Sequence, residues 1–308
     1  MSKSTKEYVF IGLKGMAMGA ADIVPGVSGG TIALIAGIYE EFINALKSFS
    51  SVFTVFAKQG IAAAWKHVNG SFLLALFSGI AISLLSLVQF IKYALSEHPI
   101  LLWAFFFGLI VASCYFVGRT IKKWNPSSII ALLIGTVSIY LITSLGPAET
   151  TTELWFVFVA GMLAICAMIL PGISGAFILV LLGKYAYIIE ALSDLKITII
   201  LTFVAGCITG LLSFSHLLSF MLRKYHALTI ALLTGFMIGS LNKIWPWKNT
   251  LKWGLDRHGE KIAVLQENVL PQNLIETEPQ ILVASLLAIV GFALIFILEM
   301  VANKKVNA

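Results

Sequence analysis

Apolar runs of 18 or more residues follow one another along this chain, and that succession leaves few folds open to it. Hydrocarbon offers no partner to backbone N–H and C=O groups, so such runs cross a membrane as helices. Six are long enough for a core of about 30 Å: 71–92, 99–118, 127–146, 196–222, 226–246 and 280–301. Of the 308 residues 59% are hydrophobic and 12% charged, roughly half the charged share of a soluble domain. The net charge of +6 belongs with cytoplasmic loops rather than with nucleic acid. The opening MSKSTKEYVF leads into apolar sequence without a small-residue cleavage site, so it does not read as a removable signal. Cys114, Cys166 and Cys207 lie in apolar runs without pairing or metal-like spacing and read as core residues.

Two further apolar segments, 8–40 and 154–186, are interrupted in the same way. The first holds Pro25-Gly26-x-Ser28-Gly29 and the second Pro171-Gly172-x-Ser174-Gly175, at an offset of 146. Gly37 and Tyr39 recur as Gly183 and Tyr185. Downstream the offset falls to 127, with Gly79, Gly108 and Ser113 recurring as Gly206, Gly235 and Ser240, so the first half is expected to carry a longer loop within 41–70. The chain therefore reads as two repeats. Residues 1–146 hold segment 8–40 and spans 71–92, 99–118 and 127–146. Residues 147–308 hold segment 154–186 and spans 196–222, 226–246 and 280–301, with an extracytoplasmic loop at 247–279.

Charge decides whether the interrupted segments cross. If 8–40 dips in and returns, one side collects Lys3, Lys6, Lys47, Lys58, Lys66, Arg119, Lys122, Lys123, Arg223, Lys224, Lys304 and Lys305. The short loops of the other side then hold Lys92, Lys184 and Lys196. That asymmetry marks the first side as cytoplasmic, with both termini on it. A hairpin plus three crossings turns the second repeat upside down. The expected fold is an all-α polytopic membrane protein: an inverted repeat of a re-entrant helical hairpin plus three transmembrane helices, six full spans and two hairpins in all.

Pro25 and Pro171 break the helix, and the glycines let the backbone turn. A new helix starts after each break, with Ser28 or Ser174 as N-cap. Helix N-termini at membrane depth favour an anion such as a phosphate. The expected phosphate-binding residues are Gly26, Ser28, Gly29, Gly30, Thr31, Gly172, Ser174 and Gly175. Arg119 and Lys184 join them as candidates, against the plainer readings of positive-inside bias and interfacial anchor. Asp22 lies in a run otherwise free of acids: it carries a coupling ion, or it holds N–H groups of the turn. Its counterpart is Met168, so the role is asymmetric. Gly15 and Gly19 read as helix-packing residues.

The stretch from Gly15 to Thr31, Gly-x-x-Met-Gly-Ala-Ala-Asp-x-Val-Pro-Gly-x-Ser-Gly-Gly-Thr, resembles the polyprenyl-phosphate translocase (PopT) family of bacterial and archaeal membrane proteins. Ile169 to Phe177 is similar to that family's second signature, and the resemblance covers essentially the whole chain. It implies a carrier that returns undecaprenyl phosphate from the outer to the inner leaflet of the plasma membrane, for reuse in cell-wall and surface-polymer synthesis. The expected partners are that lipid, membrane lipids and a proton or sodium ion. No nucleic acid, metal, cofactor or catalytic residue is expected. Two rivals stand beside this reading. The same site suits a secondary transporter of a small anion. The Gly-x-Ser-Gly pattern, with Ser174 near His216, imitates an intramembrane serine protease, but the duplication and the preceding Pro argue against an enzyme.

Overall fold

The computed structural model describes residues 3–24, 27–148, 150–255, 261–275 and 277–306. α1 (Thr5–Ile23) opens on a capping box in which Ser4 accepts from the Glu7 N–H and Glu7 from the Ser4 N–H. It stops just before Pro25 in the sequence, as the residue ahead of a proline disfavours helix. α2 (Gly29–Ile35) follows, then α3 (Tyr39–Ser48), a 3-10 turn (Phe49–Ser51), α4 (Val52–Gln59) and α5 (Ile61–His67). Three long helices complete this half: α6 (Gly70–Glu97), α7 (Pro99–Arg119) and α8 (Pro126–Ser144). The second half runs α9 (Leu154–Ile169), α10 (Gly175–Leu181), α11 (Tyr185–Ser193), α12 (Ile197–Lys224) and α13 (His226–Ser240). An antiparallel hairpin of β1 (Lys248–Leu255) and β2 (Lys261–Asn268) precedes α14 (Ile281–Val306).

The chain is thus mostly helical, with several apolar helices, as a polytopic membrane protein requires. Three expectations need correction. The 247–279 loop carries a two-stranded sheet, so all-α is too narrow a class. It closes its own hydrogen bonds outside the spans, where an alternating segment such as 250–255 can pair with a second strand. The stretch between the first hairpin and α6 is helical rather than open loop. The span at 226–246 ends as helix at Ser240, while the one at 71–92 continues to Glu97. Among the described residues α6, α7, α8 and α12 have the length and apolarity to cross a membrane by themselves, and α9, α13 and the apolar part of α14 are shorter.

Small residues fix how the helices pair. A Cβ on Gly15 would lie 2.2 Å from the Leu76 carbonyl oxygen, and one on Gly79 would lie 2.0 Å from that of Gly12, so α1 runs flush along α6. In the second half Gly161 meets the Phe203 carbonyl and Gly206 that of Phe158, which joins α9 to α12 in the same way. The remaining pairs cross between halves. On α7 and α14, Gly108 abuts Ala288 and Gly291 abuts Phe105. On α13 and α8, Gly235 abuts Leu132 and Gly135 abuts Leu232. These two pairs of contacts superimpose when α7 positions are shifted by 127 and α8 positions by 156.

The ends of each interrupted segment meet. An ion pair joins Lys3, ahead of α1, to Glu41 of α3. At the other segment the Ala148 N–H donates to the Leu181 carbonyl at 2.9 Å, and the Lys184 ammonium to the Thr150 carbonyl at 3.0 Å. The core lies between the helices, where Val27, Tyr39, Ile43, Phe72, Ile110 and Met237 are buried. The exterior is apolar too: Leu85, Phe90, Leu201 and Ile289 are largely exposed, as lipid-facing side chains are.

Candidate functional site

The two helix breaks interlock in the buried interior. Ser28 caps α2, its Oγ accepting from the Gly30 N–H at 3.0 Å. The same hydroxyl reaches into the other half and shares its proton between the carbonyls of Met168, at 3.2 Å, and Leu170, at 3.0 Å. The Tyr39 hydroxyl donates to the Ile169 carbonyl at 3.2 Å. In return the Gly172 N–H donates to Thr31 Oγ1 at 2.9 Å. Helix α9 leaves three carbonyls without helical partners as it ends, and the first half supplies donors to all three.

Close approach makes this possible. A Cβ on Gly30 would sit 2.3 Å from the Ile169 carbonyl oxygen, so any larger residue drives the breaks apart. Ser28 and Thr31 are fully buried there. Gly172 adopts φ +88°, a conformation natural to glycine, and packs on the Phe236 carbonyl of α13.

Asp22 Oδ1 accepts from the Gly29 N–H at 2.6 Å. A Cβ on Gly29 would collide with the Asp22 carboxylate at 2.6 Å, so glycine there is what admits the acid. The carboxylate thereby occupies the first-turn position of α2, where the sequence led us to expect an external anion. α10 differs: Ser174 stands at its N-cap but makes no capping bond, and it is half-buried. Gly175 packs against the Ala164 carbonyl of α9, within its own half.

The expected site residues therefore divide. Asp22, Ser28, Gly29, Gly30 and Thr31 gather with Pro171 and Gly172 at the interlock, and Ser174 and Gly175 follow directly. Pro25 and Gly26 lie outside the described residues. Arg119 stands apart and exposed, stacked on Tyr115 with 5.6 Å between guanidinium and ring centre. It borders a cavity of about 410 Å³ between α7, α8 and α13, lined also by Cys114, Trp124, Leu132, Thr234 and Ile238. Lys184 is 2% exposed and holds the Thr150 carbonyl between the rings of Phe156 and Tyr187. His216 contacts Ser50 and the Leu212 carbonyl, not Ser174.

Sequence reasoning missed two lysines. Lys243, just past α13, sets its ammonium over the Phe177 ring of α10 at 5.0 Å. Lys248, the first residue of β1, sets its own over the Trp103 ring of α7 at 4.3 Å and donates to the Lys243 carbonyl. The run Lys243-Ile-Trp-Pro-Trp-Lys248, two cations spaced by tryptophans, was the available signal.

The sequence model of the VCA0040-like family, described as undecaprenyl phosphate translocase-like, matches residues 18–262. The chain belongs to that family. A polyprenyl-phosphate transporter of Vibrio cholerae serotype O1 (strain ATCC 39315 / El Tor Inaba N16961) is 44% identical over 308 residues, covering 99% of this chain and 100% of that protein. A polyprenyl-phosphate transporter of Staphylococcus aureus (strain NCTC 8325 / PS 47) is 31% identical over 252 residues, covering 76% of this chain and 85% of that protein. No solved structure matches the chain. The family match begins at Met18 and so takes in the sequence of both helix breaks.

Proposed function

We propose that this chain carries polyprenyl phosphate across the membrane, moving undecaprenyl phosphate from the outer to the inner leaflet of the plasma membrane for reuse in cell-wall and surface-polymer synthesis. The observation that carries the reading is the interlock: the two broken segments of a translocase-family chain close on each other through four side-chain-to-backbone contacts. Each contact joins one half to the other. When the halves part, Ser28 Oγ, Thr31 Oγ1, Tyr39 Oη and the Gly172 N–H are released together. Hydroxyls and N–H groups are what a phosphate oxygen accepts from. The phosphate then passes between Ser28–Thr31 and Gly172–Gly175, while the isoprenoid tail stays in lipid.

The inverted repeat, with six spans, two re-entrant hairpins and halves at 1–146 and 147–308, is part of this proposal. Its support is the matched crossing of α7 on α14 and α13 on α8, and the meeting of each hairpin's ends. Two such halves rock against each other about a fixed site in secondary transporters. The cytoplasmic placement of both termini rests on the lysine asymmetry, and Lys3, Glu41, Glu40 and His226 form contacts at that common end. Asp22 is assigned to the coupling ion, a proton or sodium. When the carboxylate leaves the Gly29 N–H, the first turn of α2 opens to the phosphate, so ion and lipid occupancy are linked. Arg119 receives the head group at the cytoplasmic end, and Lys184 holds the far end of the second hairpin.

The test is the accessibility of undecaprenyl phosphate on the cell surface, read with an antibiotic that sequesters the lipid. Cells without any such carrier accumulate it; the wild-type chain clears it; a chain with Ser28→Leu and Ser174→Leu does not. Unchanged surface lipid in cells lacking every carrier would overturn the reading, and uptake of inorganic phosphate would then favour a small-anion transporter.

A further inference from the structure

Lys243 and Lys248 present a charge problem that the interlock does not explain. Both side chains are only partly exposed. Among the described residues neither makes an ion pair. The Lys248 ammonium bonds to the Lys243 carbonyl, so the two cationic side chains emanate from one turn. Burial, reinforced by the charge of Lys243, pushes the Lys248 amine down to about 7. Two partly desolvated ammonium groups held together repel, and a fold retains such a pair at a cost unless an anion joins them.

The surroundings say which anion. Four elements meet here: the end of α13, the start of β1, α7 through Trp103, and α10 through Phe177. Trp245 meets Phe107 and Trp247 edge-to-face, with ring centres 5.5 Å apart in each pair. Their indole N–H groups are taken by the Val269 and Pro279 carbonyls, at 2.9 and 2.7 Å. The carbonyls of the 247–279 segment thus hold both indoles in place beside the two lysines in the chain. Phe177 sits in the first turn of α10, the helix start that Ser174 leaves uncapped. The place offers two cations, each over an aromatic ring, and one of those rings belongs to the first turn of α10. A phosphomonoester carries about 1.5 to 2 negative charges at pH 7, enough to neutralise both lysines.

We propose that Lys243 and Lys248 form a receiving site for a phosphomonoester on an apolar chain, at the end of the molecule that bears the β-hairpin. The site lies one step before the interlock, and the hairpin's role is to carry Lys248 and brace the tryptophans. This rests on the translocase reading for the direction of travel, outer leaflet first. The chemistry it recognises is the phosphate itself, which a lipid or free phosphate could supply, and the apolar walls select the lipid.

The experiment uses the full chain in lipid nanodiscs, with farnesyl phosphate as the probe and farnesol and inorganic phosphate as comparators, read by tryptophan fluorescence. Farnesyl phosphate is expected to bind. Changing Lys243→Gln and Lys248→Gln together should weaken it at least tenfold, Lys243→Arg with Lys248→Arg should restore most of it, and the remote Lys58→Gln should leave it unchanged. Farnesol should not compete. Inorganic phosphate binding as tightly as farnesyl phosphate would overturn the lipid assignment. Wild-type affinity in the double Gln chain would overturn the site, while the translocase reading would survive if that chain still cleared surface lipid. As a readout independent of any variant's folding, farnesyl phosphate should protect Lys243 and Lys248 of the wild-type chain from an amine-directed reagent; no protection sinks the proposal.

Discussion

The two helix breaks share Pro-Gly-x-Ser-Gly yet are built differently. The first is closed and self-satisfied: Asp22 and Ser28 cap α2, and Ser28, Thr31 and Tyr39 are buried. The second is open: Gly172 turns with a positive φ, Ser174 caps nothing, Tyr185 is exposed and Met168 stands where the first has Asp22. One motif therefore yields a latch and a catch. The first break supplies the side chains; the second supplies the backbone groups they grip. The asymmetry agrees with the proposal that Asp22 alone carries the coupling ion, since only one of the two hairpins then has to sense it.

Breaking the latch at its tightest point should have the largest effect. Gly30→Ala places a Cβ against the Ile169 carbonyl oxygen, so we expect clearance of surface undecaprenyl phosphate to be abolished. Thermal unfolding in detergent should fall by the equivalent of about 1–3 kcal/mol, as overpacking does. Gly175→Ala, crowded only within its own half, should destabilise while leaving some transport. If both substitutions behave alike, the contact between halves is not special.

Next comes Asp22→Asn, which keeps an acceptor for the Gly29 N–H and removes the charge. We expect transport to fall at least tenfold with the melting temperature little changed, whereas Met168→Ala should alter transport less than twofold. Near-normal transport by the Asn chain would reduce Asp22 to a cap.

The serines sharpen the comparison further. Ser28→Ala loses a cap and two contacts with the other half and should cost about 1–2 kcal/mol in unfolding measurements. Ser174→Ala should stay within about 0.5 kcal/mol. Equal costs would mean the breaks are equivalent after all.

The smallest expected effect belongs to the tyrosines. Tyr39→Phe removes the bond to the Ile169 carbonyl, worth about 0.5–1.5 kcal/mol. Tyr185→Phe, exposed and without that bond, should be silent by the same measurement.

Much of this was legible in the chain. The apolar runs required membrane helices, and Gly15 and Gly19, read as packing residues, do lie against α6. Pro and Gly marked both breaks, and the acid in a greasy run marked Asp22. Two things were not legible. The sheet at 248–268 was hidden because strands outside the membrane carry a far weaker pattern than a span, and charge in that stretch read simply as loop. The lysines at 243 and 248 were hidden because their significance comes from rings on α7 and α10, more than 60 positions away in either case.

The sequence by itself determined which apolar segments form membrane helices and where two of them must break, since those follow from local rules: hydrocarbon demands internal hydrogen bonds, and proline lacks the N–H to make one. Only the tertiary structure decided that the two breaks grip each other, that Asp22 fills the first turn of α2, and that one copy of the motif is closed and the other open. Identical local signals cannot settle such matters. Whether a hydroxyl caps its own helix or a carbonyl of the other half depends on which backbone lies within 3 Å of it, and that is fixed by packing across the whole chain.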